Sequence, residues 1–250
     1  GGSLMFLLGL VDDIYNLDAK FKLLIQILVV TVVYCLGVKF DTIFDPFNPN
    51  GGMIHLNMFL SYPLTLLWIV GISNAVNFID GVDGLAGSVI TVNAITLAIL
   101  SLAMTPPNPI SALIAFILAG SMMAFLTFNF NPAKIFMGDS GALFSGFMLA
   151  SISITGVMKS ATLAILLPFI VLAVPIMDIT YSSLRRIFKG KSPFVADAEH
   201  IHHKLLKAGF SQKLTVAIMT SIAIIAGAIA TYLMGIFTIK HYVCYILIVI

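Results

Sequence analysis

An all-α, polytopic transmembrane helix bundle is the fold predicted from this sequence, and three observations carry that expectation. The 250 residues are 60% hydrophobic and only 10% charged, with a mean hydropathy of +1.07, far from the balance of a soluble core wrapped in polar surface. Apolar runs near the roughly 20 residues needed to cross a bilayer recur along the whole chain. Eight of the eleven carboxylates fall in polar breaks that alternating the runs across a bilayer puts on one face.

Taken in order, the first run, 1–11, is a partial span: it is only about half the length needed and lacks an initiator Met, so the natural start is expected upstream. It has no basic stretch or cleavage site and is not a signal peptide. Full spans follow at 23–40, 58–76, 85–104, 110–130, 142–158, 162–187 and 214–234, bounded by Gly, Pro, Asn and charge, and 241–250 is a second partial span. That makes seven full spans plus two partial ones. Residues 41–57, rich in Pro, Asn and Gly, predict a small hairpin. Residues 188–213 are the one long loop, with a short amphipathic helix expected over Lys204–Gly209. No internal repeat interrupts 1–250, which reads as one integral membrane domain.

Charge sets the orientation. Lys20, Lys22, Lys134, Arg185, Arg186, Lys189, Lys191, Lys204, Lys207 and Lys213 lie on the face that carries the acids, against Lys39, Lys159 and Lys240 on the other, which makes the first face cytoplasmic. An Asp in mid-bilayer costs about 2.5 to 3.5 kcal/mol on insertion scales, so the carboxylates are expected at the interface or in a wet cleft. A net charge of +2 without basic runs gives no case for nucleic acid. Cys35 and Cys244 sit singly in apolar runs and indicate neither a disulfide framework nor a thiolate metal site. The sequence warrants no protein partner, a homodimer being the one association left open.

Four polar breaks carry candidate chemistry. Asp12 and Asp13, with Asn16, Lys20 and Lys22 following, read either as a solvated helix end or as groups that bind a metal diphosphate or take a proton. Asn74, Asn77, Asp80 and Asp83 recur every third residue with Gly81 and Gly84 among them. A helix would spread them over half its surface, so the helix is expected to unwind after Asn77 and turn these acceptors inward, a donor set suited to a hard cation. Gly138-Asp139-Ser140-Gly141 opens a span, where an Asp and free backbone N–H groups could hold a metal and a phosphate oxygen, or merely cap the helix. His200, His202 and His203 lie beside Lys204 and Lys207. No H-E-x-x-H or Cys accompanies them, so phosphate or sugar contact is favoured over zinc. Asp178, inside a span, is either a functional acid or the partner of a basic residue a turn or two away, with Tyr181 and Arg185 its near neighbours.

V-D-D-I-Y-N-L, N-A-V-N-F-I-D-G-V-D-G-L-A-G, F-M-G-D-S-G and S-P-F-V-A-D-A-E-H-I-H-H-K-L-L, in this order from residue 8 to about 215, resemble the polyprenyl-phosphate N-acetylhexosamine-1-phosphate transferase family. The resemblance implies a multi-pass enzyme of the bacterial cytoplasmic membrane, its active-site cleft facing the cytoplasm. It would transfer an amino sugar 1-phosphate from a UDP-amino sugar to a polyprenyl (undecaprenyl) phosphate lipid and release UMP. H-I-H-H looks like the UDP-GlcNAc branch rather than the UDP-MurNAc-pentapeptide branch, which generally carries consecutive histidines. By motif position, Asn77 and Asp139 would ligate Mg²⁺, with Mn²⁺ a possible substitute. Asp12, Asp13, Asp80 and Asp83 would be catalytic, Asp12 as general base. Asn16, Lys22, Asn74, His200, His202 and His203 would bind substrate. Family members usually begin with two further spans that this sequence does not contain. From another class, an ion-coupled transporter is the rival, and it predicts acids near mid-membrane.

Overall fold

A computed structural model describes residues 1–45, 52–158, 166–188 and 200–235. The expected outer span-break near 159, the partial span 241–250 and most of the long loop, including Asp197 and Glu199, lie outside the described residues. The elements are α1 (Gly2–Tyr15), α2 (Ala19–Cys35), β1 (Thr42–Asp45), β2 (Gly52–His55), α3 (Met58–Ile79), α4 (Leu85–Ala103), α5 (Pro109–Asn129), α6 (Gly138–Ile152, continued by a π-helical segment to Met158), α7 (Leu166–Val171), α8 (Ala173–Phe188), α9 (Ile201–Lys207) and α10 (Gln212–Leu233). β1 and β2 pair antiparallel from Thr42 opposite His55 to Asp45 opposite Gly52, the expected hairpin.

Among the described residues, five helices are long and apolar enough to cross a membrane: α3, α4, α5, α6 with its π-helical extension, and α10. The all-α multi-pass architecture therefore holds, while two of the seven expected full spans differ. α2 begins earlier than expected, because the Asp18 side chain accepts the Lys20 amide and caps it, and it ends at Cys35. Its 17 residues rise about 26 Å, short of a hydrocarbon core of about 30 Å. The expected 162–187 span is divided between α7 and α8 around Leu172. Pro175 has no N–H for the Val171 carbonyl, which opens the ladder there, although Leu172 N–H still reaches Pro168 O and Ile176 N–H reaches Leu172 O.

Caps set the other ends. Asn57, Asn108 and Ser211 accept amides of the first turns of α3, α5 and α10. α1 runs on through Asp12 and Asp13 and stops where Asn16 turns left-handed at φ 50°. α4 is the central helix, buried over most of its length against α5, α10 and α6, and α5 is the most exposed of the five spans.

Two close approaches bring the site-bearing ends together. A Cβ on Gly9 would lie 2.4 Å from the Ser140 backbone, and one on Gly146 would lie 2.6 Å from Ser73 Cα, so α1 and α3 both touch α6 at backbone distance. Gly146→Ala should force α3 and α6 apart and destabilise the fold by about 1 to 3 kcal/mol. A melting temperature in detergent equal to wild type would contradict this packing.

Candidate active site

The site is assembled from the last turn of α1, the first turn of α2, the end of α3 and the start of α6. Lys22 Nζ donates to Asp12 Oδ2 at 2.6 Å and to Asp139 Oδ2 at 3.1 Å, so one ammonium joins segments 117 residues apart. Asp12 is buried and its Oδ1 also accepts the Leu17 amide at 2.8 Å. Asn77 Nδ2 donates to Asp139 Oδ1 at 2.9 Å. Asp139 thus has each oxygen engaged by a donor from a different helix. A cavity of about 320 Å³ opens beside this cluster, lined by Asp12, Asp13, Asn16, Leu17, Lys22 and Asp139.

Asp13 has a different task from Asp12. Its two oxygens accept the amides of Asp139 at 2.8 Å and Ser140 at 3.1 Å, capping α6, whose own N-cap residue Met137 makes no side-chain bond. This corrects the expectation that free N–H groups at the start of α6 await a phosphate: two of them are already filled by Asp13.

The Asn74–Asp83 stretch divides. α3 stays helical through Ile79 with Asp80 at its C-cap, so the helix does not unwind after Asn77, as the glycines suggested; the turn begins two residues later. Asn74 faces back along the bundle and forms a reciprocal amide pair with the buried Gln26, 2.7 and 3.3 Å, while also donating to Val70 O. Asp80 stays with the acids: burial, then the charges of Asp139 and Asp13, push its carboxyl up to about 7. Asp83 turns to the loop after α5, where its Oδ2 accepts Asn131 Nδ2 and the Ala133 amide, each at 3.1 Å. Asn131 Nδ2 also donates to Gln212 Oε1, so the starts of α4 and α10 meet at this end too.

The histidines pack at the α3–α4 turn. The His200 ring lies 5.3 Å from that of Phe78 and 5.8 Å from that of His202, and the His202 and His203 rings are 4.3 Å apart. His202 is fully buried, its Nε2 2.7 Å from where a Cβ on Gly81 would be, and burial together with His203 lowers its imidazole to about 4, leaving it neutral. Asn77, Asp139, Asp12 and Lys22 therefore form one hydrogen-bonded group, with Asp13 beside it on the cavity wall and Asp80 within reach of the charge of Asp139. The histidines adjoin it through Phe78. Asn16 lines the open cavity, and Asn74 and Asp83 are held in neighbouring hydrogen-bond sets.

Two residues beyond the four polar breaks bear on the site. Gln26, a lone amide in an apolar span, could have been noticed as a polar residue needing a partner. Asp178 was noticed, but its partner is the loop residue His200.

Among the described residues, no three His, Cys, Asp or Glu side chains group as a metal cage. The donor set nevertheless fits Mg²⁺, which binds through one or two carboxylates and leaves the rest of its shell to water and phosphate. Asp12 and Asp139 already share a cation, the Lys22 ammonium.

Residues 1–157 match the family model described as glycosyl transferase family 4. The chain is 39% identical over 226 residues to a probable undecaprenyl-phosphate N-acetylglucosaminyl 1-phosphate transferase of Bacillus subtilis, covering 90% of this chain and 62% of that protein. It is 36% identical over 240 residues to a decaprenyl-phosphate N-acetylglucosaminephosphotransferase of Mycobacterium leprae, covering 87% and 59%. A phospho-N-acetylmuramoyl-pentapeptide-transferase of Streptococcus equi subsp. zooepidemicus is 33% identical over 216 residues, covering 83% and 63%. The chain thus spans about 60% of the length of these curated relatives. The family match over most of the chain, together with relatives of this identity, places this multi-pass membrane protein in glycosyl transferase family 4.

Proposed function

We propose that this chain transfers N-acetylglucosamine 1-phosphate from UDP-GlcNAc to a polyprenyl phosphate in the bacterial cytoplasmic membrane, at a cleft facing the cytoplasm, with release of UMP. The observation that carries the reading is the Lys22–Asp12–Asp139–Asn77 cluster beside an open cavity at one end of the bundle. Asp139 and Asn77, with Asp12 adjacent, would hold Mg²⁺, which supplies charge neutralisation to a diphosphate when bound. Lys22 and Asn16 border the cavity where a lipid phosphate can enter, and Lys22 supplies a positive charge to it. An oxygen of that phosphate attacks the sugar-bearing phosphorus, the bond from that phosphorus to the bridging oxygen breaks, and UMP leaves with the electron pair. A phosphate monoester with a second pKa of about 6 arrives mostly ionised, so the demand on Asp12 as a base is small. Asp13 keeps Asp139 in place through the α6 amides.

GlcNAc is preferred to the muramoyl-pentapeptide alternative by the higher identity to the GlcNAc-named relatives and by the H-I-H-H pattern. An ion-coupled transporter would place its acids along the middle of the bundle, whereas this cluster sits where helices begin and end. The positive-inside balance supports a cytoplasmic cleft.

Membranes or detergent micelles carrying the protein should release UMP from UDP-GlcNAc only when polyprenyl phosphate and Mg²⁺ are both present, and EDTA should stop the release. Asp139→Asn should lower kcat by about 10³-fold or more, on the scale of losing a principal electrostatic group. Near-normal turnover in that variant would remove Asp139 from the site.

Asp80 yields a test against pH. Its folded pKa of about 7 stands above the 3.8 of an ordinary aspartate, so the unfolded chain gives up this proton first as pH rises. Asp80 therefore takes stability away progressively between about pH 4 and 7, and the loss is complete above 7. In metal-free detergent, Asp80→Asn should melt near wild type at pH 4 and increasingly above it up to pH 7 to 8. A difference in melting temperature that does not change with pH would contradict the burial of this carboxyl.

A further inference from the structure

Asp178 is fully buried, and both of its oxygens are spent on the start of one short helix. Oδ2 lies 2.7 Å from His200 Nδ1, and Oδ1 accepts the Ile201 amide at 2.7 Å. His200 caps α9 without a side-chain bond of its own, so the carboxylate from α8 does the capping from outside. At seven residues α9 is too short to hold its shape alone and takes its position from what it docks on. The His200 ring packs against Phe78, the neighbour of Asn77, so the placement of this imidazole is tied to the residue that grips Asp139.

We propose that Asp178 is a positioning residue for the transfer reaction: it clamps His200 Nδ1 and the first amide of α9, fixing the histidine ring against the Asn77 end of α3. The inference rests on the function proposed above, in which the histidine segment serves the nucleotide sugar. A carboxylate beside Nδ1 requires a proton on that nitrogen, which leaves Nε2, on the opposite edge of the ring, as the atom whose direction the clamp sets. Outer partners that orient metal-ligating imidazoles are typically worth about 10- to 100-fold in activity or affinity, and a clamp on a substrate-facing imidazole is expected on the same scale. Asp178→Asn keeps the shape but can present an amide N–H to Nδ1, which moves the ring proton to Nε2 while Oδ1 still accepts Ile201 N–H.

The test uses the full chain in detergent, with Asp178→Asn, His200→Ala and the double variant. Turnover with UDP-GlcNAc and polyprenyl phosphate should fall about 10- to 100-fold in kcat for Asp178→Asn, with KM changed by less than about threefold. The double variant should be no slower than His200→Ala, because Asp178 acts through His200. The ¹⁵N signals of labelled histidine, with His200 assigned by its loss in His200→Ala, should carry a proton on Nδ1 in the wild type and on Nε2 alone in Asp178→Asn.

A kcat within twofold of wild type for Asp178→Asn, or losses that multiply in the double variant, would overturn the positioning role. So would a wild-type His200 protonated on Nε2 alone, and that readout needs no activity. If the wild type transfers nothing while its Nδ1 proton is present, the functional reading falls, and the role in transfer with it, although the clamp stands.

Discussion

One ammonium group organises the polar end of this bundle. Lys22 Nζ sits between Asp12 and Asp139 and lets two carboxylates from helices far apart in sequence approach each other at the edge of an apolar interior. Without a cation between them, two such groups would repel, and one would have to stay protonated. The same geometry suits the proposed function: acids that already share one positive charge would accept a divalent ion and a diphosphate at the same place.

The surrounding structure serves to hold that arrangement still. Gly9 lets α1 approach the start of α6 at backbone distance, and that approach puts Asp13 within reach of the Asp139 and Ser140 amides. The Gln26–Asn74 amide pair locks α2 to α3 below the site, and Asp83 ties the start of α4 to the loop after α5. Asp178 performs the matching service for the histidine helix. Several acids of one end of the bundle thus act as braces, so substitution at Asp13, Asp83 or Asp178 would disturb function through geometry as much as through chemistry.

Much of this was legible in the sequence, for identifiable reasons. The apolar runs give α3, α4, α5, α6 and α10 to within four residues at each end, because a bilayer span leaves little freedom of length. Asp12, Asn77 and Asp139 announce themselves as polar groups at the ends of such runs, and they do converge. What stayed hidden depends on contacts between distant segments. Spacing on its own helix left Asp178 either a functional acid or the partner of a basic residue a turn or two away, and His200 reaches it from 22 residues later. Asn74 and Asp83 fell into the right motif, yet motif membership does not tell which way a side chain turns; Gln26 and Asn131 decide that. Pro175 was visible, but whether it kinks or divides a span depends on the packing around it.

Lys22, Asp12 and Asp139 form one interacting set rather than three separate surface charges. A double-mutant cycle between Lys22→Met and Asp139→Asn, read as thermal stability of the metal-free chain in detergent, tests it most directly. The two changes should be non-additive, with a coupling of about 1 to 3 kcal/mol, because removing either partner alone strands the other in a half-buried site. Additivity within about 0.5 kcal/mol would mean that the charges do not meet, and would contradict the account.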